Sequence, residues 1–257
     1  MNNLNVVDFP VVERKLQTLE GLSVPNKAIV RTDTNDVLGV MGEDYKIVHH
    51  KEVIEKVEKD IPTELTERKI TLCKNGAVMF AKYLTPRIRA IEVRKGDIVK
   101  FGIEVFNSYD GTFPVGFMFV AMRVICTNGM TIPKSVARIS VKHTANVRLD
   151  NVGNEFNKRI PLYMKTADRW REWSETTPKP ERVDSFLKKT LGDRLKKFFE
   201  EEYQVASDKT LWGLYNIFTY YNTHNIKTKK NNEQNKRIAQ FGFEKRLLNE
   251  FYNFNWS

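Results

Sequence analysis

The chain has 257 residues, 41% apolar and 29% charged, a composition that supports a packed core of one large domain or two small ones. No apolar stretch approaches the ~20 residues of a membrane-spanning helix. The formal net charge is +10 and the pI is near 9.4, which favours a polyanionic partner. The first residues, MNNLNVVDFP, lack the basic start and apolar run of a signal peptide, so the expected compartment is the cytosol.

Residues 10–20 (PVVERKLQTLE) suggest a short helix. Residues 28–48 read as a hairpin, with AIVRTD, a turn at Thr34-Asn35-Asp36, then VLGVMG and YKIV. Val53, Ile54, Val57 and Ile61 follow at helical spacing, and Pro62 closes that segment. A β-meander comes next. ITLC and AVMFAKYL flank Lys74-Asn75-Gly76, and Asn-Gly is a strong hairpin signal. RAIEV leads through Lys95-Gly96-Asp97 to DIVKFGIEVFN, in which Val99, Phe101, Ile103 and Val105 alternate with polar positions. After the turn Ser108-Tyr109-Asp110-Gly111, VGFMFVAMRVIC is apolar on both faces, as a central strand is. Short connections throughout favour antiparallel pairing.

Ala137–Leu149 (ARISVKHTANVRL) alternates strictly. Ile139, Val141, His143, Ala145, Val147 and Leu149 fall on one side, and Arg138, Ser140, Lys142, Thr144, Asn146 and Arg148 on the other. The second set holds cations, hydroxyls and an amide but no carboxylate, a composition suited to phosphate contact. From about residue 155 the apolar period becomes helical. Leu187, Leu191, Leu195 and Phe198 mark one helix. Leu211, Leu214, Ile217 and Phe218 mark a second, with Asp208 as its N-cap. Ile238, Phe241, Leu247, Leu248 and Phe251 mark a third, and the polar stretch NIKTKKNNEQNKR before it reads as a mobile loop. The expected fold is α+β: a twisted antiparallel sheet with short N-terminal helices and a helical C-terminal third. Residues 1–154 would form the mixed part and 155–257 the helical part packed on it, in one continuous domain.

The charge is unevenly spread. Residues 1–64 carry 8 Lys and Arg against 12 Asp and Glu; residues 65–149 carry 14 against 5; residues 150–257 carry 20 against 15. The middle segment therefore holds a net +9. Arg87, Arg89, Arg94 and Lys95 surround one turn, Arg138, Lys142 and Arg148 line the alternating ribbon, and Arg123 lies inside an apolar strand. A cation at that last position needs a partner such as Glu104, or a ligand. Tyr109 and Phe113, in the SYDGTF turn, are placed to offer rings to bases, although rings in such loops commonly pack inward; aromatic stacking beside a cationic groove is how sequence-tolerant single-strand binders work.

Catalytic signals are sparse. Cys73 and Cys126 lie in apolar runs and read as reduced, buried thiols. His49, His50, His143 and His224 show no metal-ligand spacing, and His143 reads first as a hydrogen-bonded core histidine. No phosphate-binding glycine loop or nucleophile elbow occurs. No cofactor or metal is expected, and the expectation is a non-catalytic protein.

The segments VLGVMGEDYKIVHHKEVI, FNSYDGTFPVGFMFVAMRVICTNGM, the ribbon ending VKHTANV, and TLWGLYNIFTYYNTHN occur in an order that resembles one family. It comprises the phage/plasmid-like proteins grouped as domain of unknown function 932. The resemblance spans about residues 28–250. It implies a role in replication, recombination or counter-defence of a mobile element and transfers no catalytic residues. Joined to the basic ribbon, it leads to the expectation of a single-stranded-DNA-binding or strand-annealing protein that self-assembles along the strand, DNA being favoured over RNA. A second expectation is an interaction protein acting on a host factor through Trp212, Tyr215, Tyr220, Tyr221 and Phe251. A third is a metal-dependent nuclease using Asp110, Glu104 and His143.

Overall fold

The computed structural model describes residues 4–61, 65–85, 90–123, 129–131, 138–143, 152–227, 233–243, 246–247 and 249–257. The protein is α+β, its sheets are antiparallel, and its helices lie mostly in the C-terminal part. Two compact units are each assembled from three chain segments instead of dividing near residue 154. Unit 1 comprises Met1–Arg87, Gly102–Met118 and Arg138–Asn157; unit 2 comprises Ile88–Phe101, Phe119–Ala137 and Lys158–Ser257.

Unit 1 begins with a three-stranded sheet of β1 (Val11–Gln17), β2 (Ser23–Arg31) and β3 (Asp36–Gly42), in that order. The expected helix at 10–20 is therefore corrected to a strand. Glu13 to Gln17 are good helix formers, but Val11 to Gln17 pair along β2 from Val11↔Arg31 to Gln17↔Ser23, and that ladder overrides local propensity. The β2–β3 turn turns at Asn35, whose φ is 58°. YKIV is not a strand; it leads into α1 (His50–Asp60), where Glu52 reaches back to the His49 N–H at 3.2 Å. Val53, Ile54, Val57 and Ile61 are all buried, as their spacing implies.

β4 (Thr66–Cys73) and β5 (Val78–Leu84) form the hairpin expected around Asn75-Gly76. β7 (Asp97–Ser108) and β8 (Val115–Arg123) each contribute residues to both units. In unit 1 the order of the described strands is β10-β8-β7-β5-β4, with β10 (Arg138–Val141) on the edge among them. Within the described part of the expected ribbon, the strand covers Arg138–Val141. Its alternation continues one step further: Ser140 and Lys142 are exposed, Val141 is half-buried and His143 is buried, while 144–149 lie outside the described residues.

In unit 2, β6 (Ile91–Arg94) pairs with the start of β7, and β9 (Gly129–Thr131) with the end of β8. Its helices are α2 (Val152–Glu175, from Lys158 onward), α3 (Pro180–Thr190), α4 (Asp193–Val205), α5 (Leu211–Tyr220), α6 (Glu233–Phe243) and α7 (Asn249–Asn253). The helix expected across Leu187–Phe198 is two helices, because Leu191 and Gly192 are extended (ψ 148° and 159°). The cap of α5 is Thr210, whose Oγ1 accepts from Gly213 N at 3.1 Å; Asp208 stands two residues upstream and accepts from both Thr210 N and Oγ1. The stretch read as a loop becomes α6 from Glu233, since its Gln, Lys and Arg favour helix.

Aromatic rings fill this unit. Trp170 donates through Nε1 to Tyr252 Oη at 2.5 Å, and Trp173 packs 4.8 Å from Tyr252 and 5.0 Å from Phe251. Among the described residues, no helix is long and apolar enough to cross a membrane.

Close strand packing in unit 1 depends on Gly102, where an added Cβ would fall 2.1 Å from the carbonyl oxygen of Tyr83. Gly102→Ala should lower the free energy of unfolding by about 3 kcal/mol, the upper range for overpacking, whereas Gly42→Ala, which meets nothing within 4 Å, should be near neutral. Denaturant midpoints of the two variants give the comparison.

Candidate nucleic-acid interface

The cations of the basic segment separate into bound and free groups. Lys74 meets Asp110 at 2.6 Å and Arg94 meets Asp208 at 2.6 Å. Lys69, Lys95, Lys100 and Lys142 are exposed and, among the described residues, pair with no carboxylate. Lys69 and Lys142 belong to unit 1, Lys95 and Lys100 to unit 2. Arg138 has its backbone in β10, opposite Met118. Arg87, Arg89 and Arg148 lie outside the described residues.

Two expected contacts are corrected. Arg123 is a structural cation: Nε donates to Asp97 Oδ1 at 2.5 Å and Nη2 to Asp97 Oδ2 at 2.6 Å. Trp212 Nε1 donates to the same Oδ2 at 2.8 Å, and Arg94 Nε lies 3.6 Å away. Burial pushes the Asp97 carboxyl up, but the Arg123 fork, the indole N–H and the Arg94 charge outweigh it and hold it below the usual carboxylate range. The carboxylate that the apolar-strand arginine required is thus Asp97, and its guanidinium is committed to it.

Tyr109 is the second correction. It is 1% exposed, its oxygen accepts from His50 N at 3.0 Å, and its ring lies 4.1 Å from the His50 ring. A ring so enclosed presents no face to a base. Its turn is tied by Ser108 Oγ, which accepts from Phe113 N and donates to Phe113 O.

That turn belongs to a buried polar network in unit 1. His50 is fully buried; its Nε2 donates to Gly76 O at 2.9 Å, so its Nδ1 is the acceptor for Asn107 Nδ2 at 2.9 Å. Asn107 Nδ2 also donates to Val48 O at 2.8 Å, and Tyr45 Oη donates to Ser108 O at 2.7 Å. His143 Nδ1 donates to Lys46 O at 3.1 Å, its ring stacks on Tyr45 at 4.9 Å, and its buried Nε2 has no partner among the described residues. Burial lowers the pKa of His50 to about 3 and also lowers that of His143. Both rings are neutral anchors at ordinary pH. Neither His50 nor Asn107 stood out in the sequence, because they bond to each other and to the carbonyls of Gly76 and Val48 across long stretches of chain.

The other sequence candidates are located as follows. Asp110 is bound to Lys74 and Thr112, and the described residues contain no group of three or more His, Cys, Asp or Glu placed to hold a metal ion. Trp212, Tyr215 and Phe251 are buried, Tyr221 is half-buried, and Tyr220 is 49% exposed.

A family model described as Domain of unknown function (DUF932) matches residues 37–241. The chain belongs to this family. The matched span contains the three segments that the His50 network joins (45–50, 107–113 and His143) and the Asp97–Arg123–Trp212 group. It also contains the four free lysines, so the DUF932 region includes both the buried anchors and the uncompensated charge. No curated protein and no solved structure matches the chain.

Two measurements follow from these networks. Below pH 6.5 an unfolded His50 takes up a proton that the native ring refuses until about pH 3, so stability falls as the solution is acidified through that window, by about 1.4 kcal/mol per pH unit for one proton. His143 acts in the same direction. Chemical denaturation at several pH values between 7 and 5 should show this slope, and His50→Gln should reduce it; an unchanged slope would remove His50 as its source. In unit 2, Arg123→Leu leaves the Asp97 charge without its main partner and should cost about 3–5 kcal/mol. Adding Asp97→Asn should recover part of that loss in the same denaturation assay.

Proposed function

We propose that this protein binds single-stranded nucleic acid, with DNA the first candidate, and that it does so without catalysis. The observation that carries the reading is the residual charge. Residues 65–149 hold a net +9, and after internal pairing Lys69, Lys95, Lys100 and Lys142 are exposed and, among the described residues, meet no carboxylate. Such lysines are neutralised by mobile counterions in the free protein. A phosphate backbone displaces those ions, and their release drives association.

The contact set of the proposal is accordingly revised. Lys95 and Lys142 are retained as phosphate contacts and Lys69 and Lys100 join them. Arg87, Arg89, Arg138 and Arg148 remain candidates from the sequence. Arg94 contributes only the part of its charge that Asp208 leaves uncompensated. Ser140, exposed beside Lys142, adds a hydroxyl to the same edge strand. An edge strand with outward polar groups also offers backbone N–H donors to phosphate oxygens. Strand annealing is the natural extension of such binding.

Fluorescence anisotropy of a labelled oligonucleotide at a series of salt concentrations tests this directly. Affinity should fall steeply with salt. Lys95→Ala, Lys100→Ala and Lys142→Ala combined should weaken binding and reduce the slope of log affinity on log salt by about 2, close to 0.7 per lost phosphate contact on a single strand. Thermal stability should stay within about 0.5 kcal/mol of the parent because these side chains are exposed and unpaired. Negligible binding at low salt, or an unaltered slope in the triple variant, would refute the proposal.

A further inference from the structure

Two concavities among the described residues of unit 2 differ in electrostatic character. One, of about 340 Å³, is lined by Arg94 and Arg123 but also by Glu202 and Asp208. Its cations are matched by carboxylates, so it does not select an anion. The other is a groove of about 430 Å³, within the roughly 300–1,000 Å³ range of small-molecule sites. Its walls are Leu195 of α4, Tyr221 of the π-helical turn that follows α5, and Phe243 at the end of α6. Lys227 and Arg246 complete the lining, and among the described residues no carboxylate does.

Both cations are exposed and, among the described residues, neither pairs with an acidic group. The aromatic wall is braced from behind. Tyr221 packs 5.2 Å from Phe198 and 5.1 Å from Phe199, and lies 5.4 Å from Phe243. Tyr221 and Phe243 both remain half-buried instead of closed over. A preformed aromatic surface beside two uncompensated cations matches a ligand that is flat and apolar at one end and anionic at the other. The unit of a single strand, a base joined to a phosphate, has this form.

We propose that this groove is a nucleotide subsite, in which a base lies against Tyr221 and Phe243 and its phosphate is held by Lys227 and Arg246. The assignment rests on the nucleic-acid reading above and adds a base contact to it. It also replaces Tyr109, which is enclosed, with rings that are accessible. Gly242, also in the lining, gives a clean way to close the site. A Cβ there meets nothing within 4 Å, and a leucine in place of glycine favours the helix, so Gly242→Leu should fill the groove without loss of stability.

An oligonucleotide carrying bromodeoxyuridine, irradiated on the full-length protein, should crosslink to the peptides containing Tyr221 or Phe243. Gly242→Leu should abolish that crosslink and weaken strand binding about tenfold, as loss of one stacked base does. Lys227→Ala with Arg246→Ala should weaken binding and lower its salt dependence. If the parent protein binds the strand but crosslinks elsewhere, and Gly242→Leu binds equally well, the groove assignment fails while the lysine interface stands. If the parent binds no strand, the interface reading fails, and the groove is judged on a deoxynucleoside monophosphate alone. Retention of that nucleotide by the parent and not by Gly242→Leu supports the subsite. No retention, or decanoate bound in preference to the nucleotide, overturns it.

Discussion

A carboxylate removed from water must recover several kcal/mol of lost hydration from its surroundings, and Asp97 recovers it from three side chains. The Arg123 fork supplies two charge-assisted hydrogen bonds, Trp212 a third, and Arg94 a nearby charge. These donors come from the end of β8, the first turn of α5 and the end of β6, while Asp97 itself opens β7. One buried charge therefore fixes three elements around a fourth. The arrangement extends outward, because Arg94 also holds Asp208, and Asp208 in turn holds the Thr210 that caps α5. A slip of β6 against β7 or of α5 along its axis would leave a bare carboxylate in the core. That penalty makes the ion pair a device of register, a role for which buried polar groups are better suited than for net stability.

Unit 1 solves a comparable problem without net charge. His50 has a donor and an acceptor nitrogen, and each has one partner of the complementary kind, Gly76 O and Asn107 Nδ2. A second proton would face another donor and no solvent, which is why burial drives the pKa so far down. The neutral ring joins the first turn of α1 to the β4–β5 turn and to β7. Tyr45 and His143 make the adjoining link, through a stacked pair and reciprocal bonds between residues 46 and 143. Three of the four segments that carry the family resemblance thus contribute polar atoms to this network, through residues 45–50, 107–113 and His143, and their part in it is structural.

Local signals made much of this readable from the chain. The Asn75-Gly76 turn, the spacing of Val53, Ile54 and Val57, and the doubly apolar β8 each depend on neighbours in sequence, and each was legible there. The failures share a different cause. Val11–Gln17 is a strand because β2 supplies its partners, and Leu187–Phe198 divides because Leu191 and Gly192 take extended backbone. Tyr109 sits in a polar turn, but the ring is claimed by His50, fifty-nine positions away. Of the expected contact residues, Lys95 was identifiable from its turn and Lys142 from its outward position in the alternating ribbon. The commitment of Arg123 was foreseeable, since an arginine in an apolar strand requires a counter-charge, but the identity of its partner depended on the three-dimensional pairing. Lys227 was noted only as part of a polar loop; its place in a groove arises from α4 and α6, which are far apart in sequence.

Net charge alone therefore overstates how much of a basic protein is available to a polyanion. In the helical third, Lys188 and Lys196 share Asp184, Lys196 also meets Glu200, and Lys197 meets Glu201. Those cations contribute to the formal charge, yet a phosphate approaching them must compete with a carboxylate already in place. Lys227 and Arg246 in the same third have no such competitor among the described residues. The same contrast separates Arg123 from Lys142 in the basic segment. Counterion release counts only phosphates that gain a partner, so the residues that decide binding are those whose folded surroundings leave them uncompensated. By that criterion the strand ribbon with which the charge is most easily noticed supplies Lys142 but does not stand alone. In the proposed reading, the groove of Tyr221, Phe243, Lys227 and Arg246 would meet the second requirement of single-strand binding, a surface for the bases, at a place the charge distribution along the chain does not single out.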